Sequence, residues 1–148
     1  MRQRAFVTIA LLLCCSVMVS AQDRLDHLRS WTGKYPTFRH GKFTKSFFRL
    51  PEIRQPLSRL LKTSDYILLT RNYKVETPIK QVSDFLVVKV CRAHNCSDEQ
   101  AGFAINLKSG TIYVRMYADE MTRWFSSHGK YTDMPQDAQD YLNDFSAN

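Results

Sequence analysis

Cys91-Arg92-Ala93-His94-Asn95-Cys96 gathers two thiols and an imidazole within six consecutive residues. Three chemistries use such a set. As metal ligands they would form a Cys-x2-His-x-Cys cluster, but a structural zinc site draws its ligand pairs from two separated segments, and no second pair occurs here. As a haem attachment motif the order is wrong, because the histidine must directly follow the second cysteine. As a disulfide-bridged loop, the cysteines pair with each other and leave one imidazole on a stiff finger, a shape suited to entering another protein's cleft. The bland alternative is that His94 merely decorates a surface turn.

Catalysis by the chain itself has little to work with. Bridged cysteines are not nucleophiles, and neither a Gly-x-Ser-x-Gly elbow nor a His-Glu-x-x-His helix is present. Ser97-Asp98-Glu99 and Asp119-Glu120 read as solvated loop charges, not as a tuned carboxylate pair. The expectation is a non-enzyme with no catalytic residues, no metal and no cofactor. A hydrolase whose groups meet only in space stays open as a third reading.

The redox compartment decides the fate of the cysteines, and the N-terminus speaks to it. Met1-Arg2-Gln3-Arg4 is positive, Ala5 to Ser20 is an almost unbroken apolar run of 16 residues, and Val19-Ser20-Ala21 offers small side chains to a signal peptidase. The run is short of the ~20 residues that span a bilayer, and no small pair precedes Cys14 or Cys15 as a lipoprotein would require. Residues 1–21 are therefore expected to be a signal peptide, cleaved before Gln22, and residues 22–148 a single exported domain. Cleavage removes Arg2 and Arg4 and no acid, lowering the formal charge from +7 to +5. Only Cys91 and Cys96 survive it, and so close a pair in an exported chain reads as one local disulfide. A ring that small contributes about 2 kcal/mol in the chain-entropy picture, so it shapes a loop more than it holds up a fold.

The positive balance raises a binding-module reading. Arg39, His40, Lys42, Lys45 and Arg49 interleave with Phe38, Phe43, Phe47 and Phe48, a segment able to meet an anionic glycan or lipid. The simpler account places the phenylalanines in the core and the basic side chains in solvent. No nucleic-acid motif accompanies the charge, so nucleic acid is not expected as a partner. Asn95-Cys96-Ser97 satisfies the glycosylation triplet only formally, with a bridged cysteine at its centre.

The elements that position the finger follow from periodicity. A short helix over residues 22–31 would bury Leu25, Leu28 and Trp31, and the segment from there to Lys45 reads as irregular. Leu50, Ile53, Leu57, Leu60 and Leu61 recur at helical spacing, with Pro51 in the first turn and Pro56 expected to kink or break the helix. Short strands are expected over residues 66–69, 75–82, 85–90, 101–107 and 111–117, with Lys108-Ser109-Gly110 joining the last two as a hairpin. After Asp119 a return to helix is expected, Asp133 capping a last helix with Pro135 in its first turn and an apolar stripe of Met134, Ala138, Tyr141, Leu142 and Phe145. The class is α+β: an antiparallel sheet of about five strands flanked by short helices, with a disulfide-closed protruding loop.

At the finger the chain resembles the inhibitor of vertebrate lysozyme (Ivy) family of bacterial periplasmic proteins. The family signature is Cys-Lys-Pro-His-Asp-Cys, and Cys91, His94 and Cys96 keep its cysteines, histidine and spacing. Leu50-Pro51, Thr77-Pro78 and the strand running into Cys91 match its setting, over Phe43 to Tyr117 and on into the C-terminal helix. The resemblance implies a periplasmic inhibitor whose loop plugs the active-site cleft of a C-type lysozyme, with His94 hydrogen bonding to the catalytic carboxylates. Monomer and homodimer are both compatible with it. Arg92 keeps the charge of the family's lysine, Ala93 gives up the restraint of proline, and Asn95 gives up a carboxylate able to orient His94. Restoring proline and aspartate is accordingly expected to tighten binding. Because vertebrate C-type lysozymes are themselves basic, the cell's own lytic transglycosylases are the alternative target.

Overall fold

The computed structural model describes residues 25–40 and 43–144, and the side chains of 38–40 and 43 are not among what it describes. The signal peptide, Phe145 of the apolar stripe, and the side-chain readings of Phe38, Arg39, His40, Lys42 and Phe43 lie outside the described residues. Five strands form one antiparallel path, β3 (Val75–Glu76), β5 (Phe85–Cys91), β6 (Gln100–Asn106), β7 (Ile112–Ala118) and β8 (Met121–Ser126), and β4 (Lys80–Val82) pairs with β5 beside β3. A separate hairpin, β1 (Thr37–His40) with β2 (Phe43–Ser46), precedes them. The helices are α1 (Pro51–Leu60), α2 (Thr63–Ile67) and α3 (Gln136–Asn143).

The strongly apolar stretch Phe85 to Val90, interrupted only by Lys89, becomes a central strand because both faces of the sheet are covered. On one face Leu86, Val88 and Val90 join Ala101, Phe103, Ile105, Ile112, Val114 and Met116 under α1 and the turns around it. Phe47 and Phe48 pack edge-on against Phe103 at 5.8 and 5.4 Å between ring centroids, geometry worth about 0.5–1.5 kcal/mol per pair beyond burial. On the other face Phe85, Val87, Ala104 and Tyr113 meet Met134, Ala138 and Leu142 of the C-terminal segment. Gly102 makes that approach possible: a Cβ there would lie 2.9 Å from Leu142 Cδ2. The alternation read in residues 112–117 holds, as do the strands near 85, 101 and 111 and the apolar stripe of the last helix.

Five local expectations are corrected. Residues 66–69 are helical, Tyr66 and Ile67 ending α2 and Leu68–Asn72 forming a π-helical turn closed by Tyr73 N–H to Leu68 O at 3.0 Å. Tertiary packing overrides the β-type composition there: Leu69 and Tyr73 are buried, and the buried carboxylate of Asp65 grips Arg123 of β8 through two 2.9 Å hydrogen bonds. Residues 121–126 form β8 and not a helix, because Asp119 and Glu120 take φ of 54° and 60° and close a tight hairpin. The basic segment is not irregular but forms β1 and β2, tied to the sheet where Thr37 donates its N–H and hydroxyl to the Glu76 carboxylate. Helix α1 is not broken at Pro56, whose missing bond would go to Glu52 in the first turn, while Ile53 and Leu57 bury on either side. Finally, Asp133 ends a 3-10 turn and accepts from Lys130 N–H, so Pro135, not Asp133, stands at the N-terminus of α3. Two smaller shifts accompany these: the expected strand over 75–82 is split into β3 and β4 around Pro78, and the first helix is a 3-10 turn over Asp26–Trp31.

Candidate functional site

The finger sits at the end of the β5–β6 hairpin. Cys91 is the last residue of β5 and pairs with Gln100 on one side and Val75 on the other, so its backbone is held in two ladders. Arg92 N–H to Glu99 O at 3.0 Å extends the hairpin one step further. Beyond that point Cys91 and Cys96 are bridged, with Cα atoms 5.0 Å apart, which removes both sulfurs from metal chemistry.

Inside the ring, Asn95 donates its backbone N–H to Arg92 O at 3.0 Å, and His94 has φ of 63°. A four-residue turn with its third residue left-handed is the type II pattern, in which proline suits the second position. Here that position is Ala93, whose N–H makes no hydrogen bond among the described residues. Histidine is among the residues that tolerate left-handed φ comparatively well, and the conformation places His94 exposed at the tip. Glu99 N–H and Asp98 N–H both point back to Asn95 O, at 2.9 and 3.2 Å, and close the returning arm.

The finger is braced by residues outside its six. Glu99 receives Arg92 Nε at 2.9 Å through one oxygen and Asn95 Nδ2 at 3.3 Å through the other. Its side chain is only 22% exposed, so it is a bracket and not the solvated loop charge expected from sequence. Asn95 likewise spends its amide on Glu99, so an aspartate there would set two carboxylates together instead of steering His94. Gln100 is buried and donates to Ser97 O at 3.4 Å. Beneath them lies Tyr73, 2% exposed, its hydroxyl without a partner among the described residues. Burial pushes the Tyr73 phenol above its ordinary pKa, and the negative charge of Glu99 adds to the rise. Arg92 and Arg123 oppose the rise, and Asp65 adds a little to it.

A second projection shares this end of the sheet. In the register Cys91↔Gln100↔Tyr117↔Thr122, the β7–β8 turn ends one residue pair beyond the level at which the finger begins. Two strand spacings, about 10 Å, separate the two hairpin axes. The turn presents Asp119 and Glu120 exposed, followed by Met121 at 60% exposure.

All six finger residues come together as one closed element. Of the described side chains of the basic segment, Phe47 and Phe48 are core, whereas Arg49 is exposed and shares a cleft with Arg54 and Ser58 of α1. Glu99 and Tyr73 were missed by sequence reasoning, and the only signal for Glu99 was a charge opposite to Arg92 across a seven-residue gap.

A disulfide-closed finger with a lone histidine at its tip is carried by the two most buried strands, β5 and β6. Residues 52–148, more than half of the chain, match the family model for the inhibitor of vertebrate lysozyme (Ivy), and the chain belongs to that family. Membership supports a role as a lysozyme inhibitor, with a lysozyme as partner. The match begins within α1, later than Phe43 where the resemblance began, and runs through α3, the C-terminal helix to which the resemblance also extends. No curated protein and no solved structure matches the chain.

Proposed function

We propose that the protein is a periplasmic, non-enzymatic inhibitor that plugs the active-site cleft of a C-type lysozyme with the Cys91–Cys96 finger, His94 meeting the catalytic carboxylates. The observation that carries this reading is His94 itself: exposed, left-handed, and fixed on a ring whose base is held in two ladders. A ligand ordered in advance loses less freedom on binding, so more of the contact energy remains as affinity. An imidazole beside two carboxylates donates from both nitrogens once protonated, and the carboxylates favour that state. Asp98, Asp119 and Glu120, exposed at the finger end, give this end a local negative rim that suits a basic enzyme despite the net +5 of the mature chain. The signal peptide and a single domain over residues 22–148 belong to the same reading.

The test is lysis of peptidoglycan by a C-type lysozyme with purified protein added, alongside a panel of lytic transglycosylases. Saturable inhibition of the lysozyme that disappears with His94→Ala is the expected result. Unimpaired lysis at excess protein, or a His94→Ala variant as potent as the parent, would overturn the reading. Inhibition confined to the transglycosylases would transfer the finger to that target.

A further inference from the structure

On the helical layer, Arg49, Arg54 and Arg71 converge on one cleft of about 330 Å3 with Ser58, Tyr66 and Thr70. The three arginines come from three segments: the turn before α1, α1 itself, and the π-helical turn after α2. Arg54 and Ser58 are four apart on α1, as Tyr66 and Thr70 are across the end of α2, so each pair presents one helix face to the cleft. No carboxylate lines it. Among the described residues none of the three arginines makes an ion pair, whereas Arg29, Arg92 and Arg123 each do. Three like charges held around one concavity repel one another, and an anion in the cleft removes that repulsion.

We propose that this cleft binds a phosphate group. Guanidinium forks match phosphate oxygens in pairs, and a tetrahedral phosphate offers three anionic oxygens to three arginines where a carboxylate offers only two. The Tyr66 hydroxyl is a donor on the cleft wall, whereas the Ser58 and Thr70 hydroxyls already donate to Gln55 O and Tyr66 O. The cleft is open and its arginines are exposed, so the phosphate can be free or the headgroup of a lipid. The π-helical turn serves this placement by interrupting the regular helix just ahead of Arg71. The site is independent of the finger and of lysozyme inhibition.

Titration calorimetry with inorganic phosphate at low salt, and sedimentation with phosphatidylcholine vesicles with and without phosphatidic acid, test the proposal. Saturable binding is expected in at least one arm. Binding of phosphate alone identifies the free anion, and binding of phosphatidic acid vesicles alone identifies the headgroup. The variant Arg54→Gln with Arg71→Gln should weaken binding about tenfold or more, whereas Arg59→Gln, an exposed arginine on α1 outside the cleft, should change it less than about twofold. Arg54→Lys with Arg71→Lys keeps the charge, loses the forks, and should fall between them, which separates recognition from bulk charge even if the glutamine variant folds poorly. Absence of binding in both arms overturns the proposal. So does equal loss in Arg59→Gln and the cleft variants. Lysozyme inhibition should be unchanged in all of them.

Discussion

The two hairpin ends that share one edge of the sheet solve the same problem in opposite ways. The β7–β8 connection turns in two residues, Asp119 and Glu120, and accepts left-handed φ at both. The β5–β6 connection spends Arg92 to Glu99 on its excursion and is held by a disulfide, an ion pair and a side-chain amide. A chain that only had to reverse would use the first solution. The bracing of the second goes to the precise placement of one exposed histidine, and strain in the first is borne by backbone alone.

Removing the imidazole should break the comparison most. His94→Ala is expected to weaken lysozyme binding by about 30-fold or more, the loss typical of an interface anchor, with no change in melting temperature. His128→Ala, exposed beyond the far end of β8, should leave binding intact in the same assay. Next in size is Cys91→Ser with Cys96→Ser, expected to cost at most about 2 kcal/mol in denaturant unfolding and to weaken inhibition by about tenfold through a finger that must order on binding. Preserved affinity in that variant would mean that Glu99 and the ladders suffice.

Smaller effects sharpen the contrast. Ala93→Pro fits the second position of a type II turn and needs no lost hydrogen bond, so binding should tighten by the equivalent of about 0.4–1 kcal/mol, read as slower dissociation. Asn95→Asp should work against it, because the new carboxylate would face Glu99; the double variant should bind no better than Ala93→Pro alone. At the other hairpin, Asp119→Asn with Glu120→Gly supplies residues that accept left-handed φ and should raise stability by about 0.4–1 kcal/mol in thermal unfolding. Inhibition should change little, apart from a slower and less salt-sensitive association if the acidic rim steers the enzyme.

The same two regions separate what the sequence could tell from what it could not. The finger was legible because its ends are marked by cysteines and the strand feeding it by a strongly apolar stretch that only Lys89 interrupts. The turn at Asp119-Glu120 carries no glycine or asparagine, so the residues after it read as helix and β8 was lost. Tyr66 to Leu69 has the composition of a strand and folds as helix because Leu69, Tyr73 and the Asp65–Arg123 pair are satisfied only by contacts distant in sequence. The hairpin of the basic segment depends on Thr37 meeting Glu76, 39 residues away. Glu99 looked like any loop acid; only the folded chain brings it against Arg92 and Asn95.

Because Glu99 and Gln100 stand outside the ring that they brace, the six-residue loop is not a portable cassette. A cyclic peptide of Cys91 to Cys96, or the same six residues grafted onto an unrelated hairpin, would carry the histidine without the frame that aims it. By the same token, the frame accounts for two of the loop's departures from the family signature: arginine can stand for lysine because Glu99 receives either charge, and asparagine for aspartate because Glu99 takes its amide.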